Sequence, residues 1–114
     1  MTTKPIEDAE FRKLYGAYAE QLPLKIGEIE SLWALAAEGG NSADLQLLNR
    51  ALHSLAGSGG TFGHPELGRC AKALEQVVEE LSGDVARIQA ILKSASPLLE
   101  SLKRAALLAD GRFE

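Results

Sequence analysis

One histidine stands inside a helical apolar pattern and is followed, one turn later, by an unusual run of small residues. His53 belongs to the stretch ALHSLAGSGGTFG, which occupies positions 51–63. An imidazole with an unperturbed pKa of about 6.5 is largely neutral at pH 7. An exposed, neutral imidazole keeps a nitrogen lone pair that can attack an electrophile such as phosphorus. Whether His53 can do this chemistry depends on the helix face that it occupies.

The buried face of this helix is defined by apolar residues that recur every three or four positions. At about 100° per residue, one stripe lies within roughly 60° of Leu48. It contains Leu45, Leu48, Ala51, Leu52, Leu55, Gly59 and Phe62. His53 falls about 140° from the centre of this stripe. Its neighbours on that outer face are polar or lack a side chain, namely Gln46, Asn49, Arg50, Gly57 and Gly60. The pattern therefore predicts that His53 is exposed.

Three glycines follow the histidine closely, and a glycine inside a helix costs about 1 kcal/mol relative to alanine. Gly57 lies one turn after His53 on the same face, with Gly59 and Gly60 behind it. A macromolecule that approaches the helix beside the imidazole would need this clearance, because a β-carbon would obstruct it. The alternative is a helix that ends near Ser58 with the glycines in a loop. That alternative explains Gly59 and Gly60 but not Gly57, since the apolar pattern continues beyond it.

These residues resemble the signature of histidine-containing phosphotransfer (HPt) domains. The signature has a histidine, any residue, an aliphatic residue, usually a lysine, then glycine and small residues, and it ends in an apolar residue and a glycine. The matching residues are His53, Leu55, Gly57, Phe62 and Gly63 and, in the family's next helix, Leu67, Ala71, Leu74 and Glu75. The resemblance extends over nearly the whole chain. One position departs from it, since the usual lysine is Ala56 here.

The resemblance implies a phosphorelay intermediate in which His53 is the phosphoacceptor and Gly57 provides clearance for docking. The implied partners are a response-regulator receiver domain, a sensor histidine kinase, or both. In this family the Mg²⁺ belongs to the receiver domain, so no cofactor or metal is expected on this chain. The protein is expected to be a phosphoryl carrier without kinase activity, because the sequence has no nucleotide-binding motif.

The resemblance implies a lysine that steadies the phosphoryl group, and because that lysine is missing here we expect another cation to supply its charge. The candidates are Arg50, three residues before His53 on the same face, and Lys72 on the exposed face of the next predicted helix. Partner specificity is expected to reside in surface residues around the histidine, such as Gln46, Asn49 and Arg50.

The composition predicts one all-α domain that spans residues 1–114. Hydrophobic residues make up 46% of the chain and charged residues 25%, and β-branched residues are sparse. A net charge of −4 and a pI near 5.2 argue against nucleic acid as a partner. The single cysteine, Cys70, lies on an apolar helix face, which predicts a buried side chain in a reducing compartment. No signal peptide or membrane span is predicted, so we expect a cytoplasmic monomer.

The apolar spacing predicts five helices. The first covers residues 6–21, after which Pro23 kinks or restarts the chain and a second helix runs to Gly39 and Gly40. The third covers residues 43–60, and the fourth begins at Pro65 and ends before a turn at residues 82–84. The last covers residues 85–109, and its regular spacing favours one long helix kinked at Pro97 over two short ones. We expect an antiparallel four-helix bundle with the additional N-terminal helix across one end.

Two other functional classes remain open. One is a helical adaptor that binds a receiver or kinase domain without being phosphorylated, which the missing lysine favours. An adaptor of this kind would still bind its partner, with full biological effect, in the His53→Ala variant. The other is a structural or dimerising bundle. An enzyme is disfavoured because no carboxylate pair and no base–nucleophile pair is evident near His53. A metal site formed with His64 is disfavoured because no further ligand is placed to complete it.

Overall fold

The part of the chain that the structure describes is entirely helical. The computed structural model describes residues 4–39, 42–81 and 85–109. They form α1 (Lys4–Ala37), α2 (Ser42–Thr61), α3 (Pro65–Glu79), α4 (Val85–Ser94) and α5 (Ser96–Ala109). No strand occurs in these three ranges, which confirms the all-α class. Gly40, part of a predicted helix end, and the predicted turn at residues 82–84 lie outside the described residues.

The first helix is one element where the sequence predicted two. Pro23 lies inside α1, although a proline there removes the N–H that would bond to the carbonyl four residues earlier. The buried face of α1 continues in phase on both sides of it, through Tyr18, Leu22, Ile26, Ile29, Trp33 and Ala36. Burial of this continuous stripe outweighs the local cost of one proline. The predicted break at Pro23, and with it the separate N-terminal helix, was therefore wrong.

The last segment is divided where the sequence predicted one kinked helix. Pro97 cannot donate a backbone hydrogen bond, and the carbonyl of Ala95 accepts bonds from the N–H groups of Leu98 (2.9 Å) and Leu99 (3.4 Å). The chain thus restarts as α5 just after α4. The prediction failed because the same three- and four-residue spacing suits both short helices and hides the break between them.

A tight turn joins α2 to α3. Gly63 has a φ of +85°, which glycine adopts without a steric penalty. Its N–H donates to the carbonyl of Gly60 (3.2 Å), and the N–H of His64 donates to the carbonyl of Gly59 (2.7 Å). This pair of bonds is a Schellman motif. It ends α2 and lets α3 begin at Pro65 as predicted, where the missing N–H has no helical partner to lose.

The helices α2 and α3 pack against each other so closely that their backbones meet at two glycines. A β-carbon at Gly59 would lie 2.8 Å from the nitrogen of Gly68, and one at Gly68 would lie 3.0 Å from the carbonyl oxygen of Ala56. Near the other end of the pair, Leu45 and Val78 line one groove, so the helices run antiparallel. This contact fixes the register of α3 and therefore which of its side chains can reach the surface of α2.

The other helices pack around this pair into a single core. α1 contacts α2, α4 and α5, and α3 also contacts α5. Two polar contacts join α1 to the last two helices: Gln89 donates to the carbonyl of Ala37 (2.8 Å), and Lys103 pairs with Glu30 (2.8 Å). Since α2 packs only on α1 and α3 among the described helices, one face of it remains open. The precise four-helix bundle arrangement stays a prediction.

None of the helices in residues 4–39, 42–81 and 85–109 has both the length and the apolar character needed to cross a membrane.

Candidate functional site

The imidazole of His53 stands on the outer face of α2, as the sequence predicted. Its side chain is 74% exposed, whereas Leu52 and Leu55 on the opposite face are buried. One edge of the ring has a partner. Its Nδ1 lies 2.6 Å from Oε2 of Glu75, which reaches across from α3. The ring is therefore held in one orientation although most of it faces solvent.

Glu75 is a carboxylate in a position that otherwise belongs to the core. Its side chain is only 3% exposed, and its neighbours Ala71, Leu74 and Val78 on α3 are buried apolar residues. Burial raises the pKa of the Glu75 carboxyl. The hydrogen bond and charge of His53, together with the charge of Lys72, outweigh that effect and bring the pKa below its usual value. Glu75 is thus ionised at neutral pH.

An ionised Glu75 determines the tautomer of the histidine. A carboxylate can only accept hydrogen bonds, so Nδ1 of His53 must carry the proton and donate it. In the neutral ring the other nitrogen, Nε2, then keeps its lone pair. Because Nδ1 is the edge directed at the buried carboxylate, Nε2 lies on the exposed side of the ring. The arrangement orients the Nε2 lone pair towards solvent at the protein surface.

Lys72 approaches the same carboxylate from the other side. Its Nζ lies 3.6 Å from Oε1 of Glu75, one turn away on α3, and its side chain is 56% exposed. This distance is an ion pair but is too long for a good hydrogen bond. Consistent with that, Oε1 is buried and accepts no hydrogen bond from the described residues. Lys72 and His53 therefore share one buried anion.

These side chains surround an open cleft of about 270 Å³ between α2 and α3, which we call the histidine cleft. It is lined by His53, Ala56, Gly57, Lys72 and Glu75. The position of the missing lysine, Ala56, is thus part of the cleft, and its methyl group leaves room there. The sequence placed Lys72 and the histidine on exposed faces of two helices, and the structure brings them together.

The three glycines lie in two different kinds of surroundings. The alternative in which the helix ends near Ser58 is wrong, because α2 continues to Thr61, one residue beyond the predicted end, and Gly57, Gly59 and Gly60 all lie inside it. A β-carbon at Gly57 or at Gly60 would meet nothing within 4 Å. Gly59 faces α3 and is required by packing. The clearance hypothesis therefore still applies to Gly57 and Gly60, and Gly59 has a structural cause.

Gln46, Asn49 and Arg50 lie in a different place from the histidine cleft. They line a separate groove of about 420 Å³ between the beginning of α2 and the end of α3, together with Glu79. Asn49 is only half-exposed, and its Nδ2 is buried without a partner among the described residues. The structure thus separates Arg50 from Lys72: the two candidate cations belong to different surface depressions.

The second histidine is part of the packing at the end of α2. His64 is half-buried and stacks on Tyr18 with 6.0 Å between ring centroids, while Phe62 stacks on the same tyrosine at 4.6 Å. The hydroxyl groups of Tyr18 and Ser58 are hydrogen bonded (2.9 Å). No cluster of three His, Cys, Asp or Glu side chains that could hold a metal ion occurs in the described ranges.

Cys70 is half-buried and packs against the core. The sequence predicted a buried side chain, so the position is right and the degree of burial was overestimated. Burial, followed by the nearby Glu66 carboxylate, raises the pKa of the thiol, which disfavours the reactive thiolate.

Sequence reasoning missed the role of Glu75. It noted this residue only as a match to a helix pattern and found no base–nucleophile pair near His53, whereas the Glu75 carboxylate contacts Nδ1 of that histidine. The available signal was an acidic residue in phase with the apolar stripe of α3, one position after Leu74. A buried acid in such a place needs a partner, and the exposed histidine one helix earlier is that partner.

A protein-family model described as the Hpt domain matches residues 13–106, a range that includes both helices of the histidine cleft. No curated protein and no solved structure matches the chain.

Proposed function

Since the chain belongs to the Hpt domain family, whose members carry phosphoryl groups on histidine in phosphorelays, we propose that His53 is its phosphoacceptor. The observation that carries this proposal is the pair formed by His53 and Glu75. A buried carboxylate holds Nδ1 at 2.6 Å, while the ring is 74% exposed. That pairing leaves Nε2 as the nucleophile on the open side of α2.

The transfer step follows from this geometry. The lone pair of Nε2 attacks the phosphorus of an aspartyl phosphate, the P–O bond to the aspartate breaks, and its electron pair leaves with the carboxylate. The proton on Nδ1 stays in place. The ring gains positive charge as the bond forms, and the Glu75 carboxylate is positioned to stabilise that charge without moving. The same contact with Glu75 stabilises this charge on the ring both when His53 receives the phosphoryl group and when it passes the group on.

The partner is a receiver domain or a sensor kinase that approaches the outer face of α2. Gly57 and Gly60 flank the route to Nε2, and nothing lies within 4 Å of a β-carbon at either position. Phosphoryl transfer needs the equatorial oxygens neutralised. In this family a Mg²⁺ on the receiver supplies much of that charge, so this chain has to present the ring, admit the partner and supply only the remaining positive charge.

The test is transfer from a receiver domain that has been phosphorylated in the presence of Mg²⁺. The chain has two histidines, so His64→Ala is the matched control for His53→Ala. We expect an acid-labile, base-stable phosphate on the wild type and on the His64→Ala variant, and none on His53→Ala. Circular dichroism establishes that both variants are folded. Label that persists in the His53→Ala variant contradicts the proposal.

An unphosphorylated adaptor is the second candidate function, and the observation that favours it is Ala56 in place of the usual lysine. It predicts that receivers or kinases bind the protein, that none of them labels it, and that His53→Ala leaves binding and biological effect intact. Binding is measured by titration calorimetry with the same receiver set that is used for the transfer test. Binding without labelling, together with an unaffected His53→Ala variant, would contradict the carrier function and support the adaptor function.

A further inference from the structure

The phosphorylated state presents a charge problem that the resting structure does not have. A phosphoryl group on Nε2 of His53 brings about two negative charges to the surface of α2. In the HPt signature a lysine on the same helix balances part of this charge, but position 56 is a neutral alanine here. Directly beneath the ring lies Glu75, another anion, at 2.6 Å from Nδ1. A cation close to the cleft is therefore required.

Of the side chains that line the histidine cleft, Lys72 is the cation. Its stem rises from α3 rather than from α2. Attraction to the buried Glu75 carboxylate holds Nζ beside the cleft at 3.6 Å from Oε1. His53 Nδ1 is hydrogen bonded to the other oxygen of the same carboxylate. Glu75 therefore holds both the ammonium group and the imidazole at the cleft.

The contact that holds Lys72 leaves its ammonium available. It is an ion pair without a good hydrogen bond, and the lysine side chain is 56% exposed. A lysine has three donors on a flexible four-carbon stem. It can turn towards phosphoryl oxygens at Nε2 and form charge-assisted hydrogen bonds while staying close to Glu75.

Arg50 is placed differently. It lies three residues before His53, but it lines the separate groove with Gln46, Asn49 and Glu79. A guanidinium is permanently charged, so its charge alone does not distinguish it from Lys72. The distinction lies in position, since Lys72 borders the space that a phosphoryl group on the ring would enter.

We propose that Lys72 on α3 supplies the charge that the HPt signature normally places on α2 at position 56, and that it contacts the phosphoryl group on His53. This inference rests on the proposed function and deepens it. The site is then completed from two helices: α2 supplies the nucleophile, and α3 supplies both the anion that orients it and the cation that receives its product.

The experiment uses phosphoramidate as a chemical donor, so that no partner protein is needed. Nε2 attacks its phosphorus, the P–N bond to the ammonium group breaks, and ammonia leaves with the electron pair. Phosphorus NMR then follows the pKa of the phosphoryl group in the intact protein. Lys72→Ala is compared with Lys93→Ala, an exposed lysine in α4 outside the histidine cleft. Removing a nearby positive charge should raise the phosphoryl pKa by about half a unit to one unit in Lys72→Ala, and Lys93→Ala should titrate as the wild type does.

A rescue variant makes the test specific to the missing lysine. Ala56→Lys in the Lys72→Ala background should bring the phosphoryl pKa back towards the wild-type value, because position 56 borders the same cleft. Transfer to a receiver should fall about three- to tenfold in Lys72→Ala and recover in the double variant.

The two hypotheses fail in different ways. If His53 is labelled and Lys72→Ala titrates like wild type, or if Arg50→Ala shifts the phosphoryl pKa in its place, the role of Lys72 is refuted and the carrier function stands. If neither phosphoramidate nor phosphorylated receivers label His53 in the folded protein, the proposed function itself is refuted.

Discussion

The two sides of α2 near its C-terminal end carry the same residue type in opposite surroundings. On the side that faces α3, Gly59 lets two backbones touch, and a β-carbon there would lie 2.8 Å from the nitrogen of Gly68. On the outer side, a β-carbon at Gly57 would meet nothing within 4 Å. One glycine is required by the folded chain itself. The other is unnecessary for folding, although it costs helix stability.

The difference separates packing from function within a single turn of helix. A residue that lowers stability and has no contact to explain it points to something outside the chain. Gly57 lines the histidine cleft, and we propose that it keeps the approach to His53 open. Gly59 is the matched internal example, in which the same cost is offset by a close helix crossing. Substitution at the two positions should therefore affect different properties of the protein.

The largest effect is expected from Gly57→Leu in the transfer reaction. A leucine beside the imidazole would stand in the path of a docking partner, and misplacing reacting groups by about 1 Å costs roughly 100-fold in rate. We expect phosphotransfer from a receiver to fall by at least about 100-fold. The measurement is the rate at which a phosphorylated receiver labels the protein.

The control for Gly57→Leu is labelling by phosphoramidate, a donor small enough to pass the leucine. It should remain within a few-fold of wild type, and the circular dichroism spectrum should be unchanged. Normal transfer from a receiver would remove the clearance hypothesis. Loss of both reactions in a folded protein would instead point to damage at the imidazole.

A smaller effect, now on stability, is expected from Gly59→Ala. The helix gains about 1 kcal/mol from the better helix former. Against this, the new β-carbon meets the backbone of α3, and overpacking at such a contact costs about 1–3 kcal/mol. Because the neighbouring atoms are backbone and cannot rotate away, we expect net destabilisation. The free energy of unfolding in urea measures it.

Gly57→Ala is the matched comparison and should have the opposite sign. With open space around the new methyl group, this variant should be more stable than wild type by about 0.5–1 kcal/mol. Equal shifts of the two variants in the same direction would contradict the distinction between the two sides of α2.

The sequence was sufficient to predict the helical class and the exposure of His53. Both follow from a local periodic pattern: the residues in phase with Leu48 are buried or half-buried, and the histidine is out of phase with them. The start of α3 at Pro65 was predicted for a similar reason, because the preference of proline for the first helical turn acts locally. Predictions of this kind need no knowledge of what packs against the helix.

The two prolines show where local reasoning fails. Pro23 is inside α1, and Pro97 follows the break between α4 and α5. Both have the same local preference, and both lie in a segment with regular apolar spacing. The buried stripe also continues past both of them, so neither the residue type nor the spacing distinguishes the two outcomes. Helix boundaries near proline therefore cannot be placed from these two local signals alone.

The site was also predicted only in part, because a local sequence pattern does not contain contacts between helices. His53, Gly57 and Lys72 were named, but the contact that joins the histidine to α3 was not. It depends on the register of α2 against α3, which the Gly59–Gly68 crossing sets. Arg50 and Lys72 looked equivalent along the chain, and only that register places the lysine at the cleft.

The smallest predicted effect concerns the Glu75 carboxylate, which reaches from α3 to His53 on the outer side of α2. The pKa of Glu75 is lower in the folded protein than its ordinary value of 4.5. A group with a lowered pKa stabilises the fold above its unfolded pKa, and this contribution is lost as the pH falls towards the folded pKa. Stability should therefore decrease on acidification below about pH 4.5, partly through Glu75. In the His53→Ala variant the hydrogen bond and charge of the histidine are gone, and burial, which raises the pKa, is opposed by Lys72 alone.

The loss of stability between pH 6 and pH 3.5, measured by urea unfolding, should accordingly be smaller in His53→Ala than in wild type. His64→Ala should keep the wild-type loss, because His64 stacks on Tyr18 while the bond to Glu75 comes from His53. Other carboxylates titrate in the same range, so the difference between the two variants carries the result. If both variants follow the wild-type curve, the Glu75 carboxylate is not held by His53 in solution, and the exposed side of α2 has no fixed support from α3.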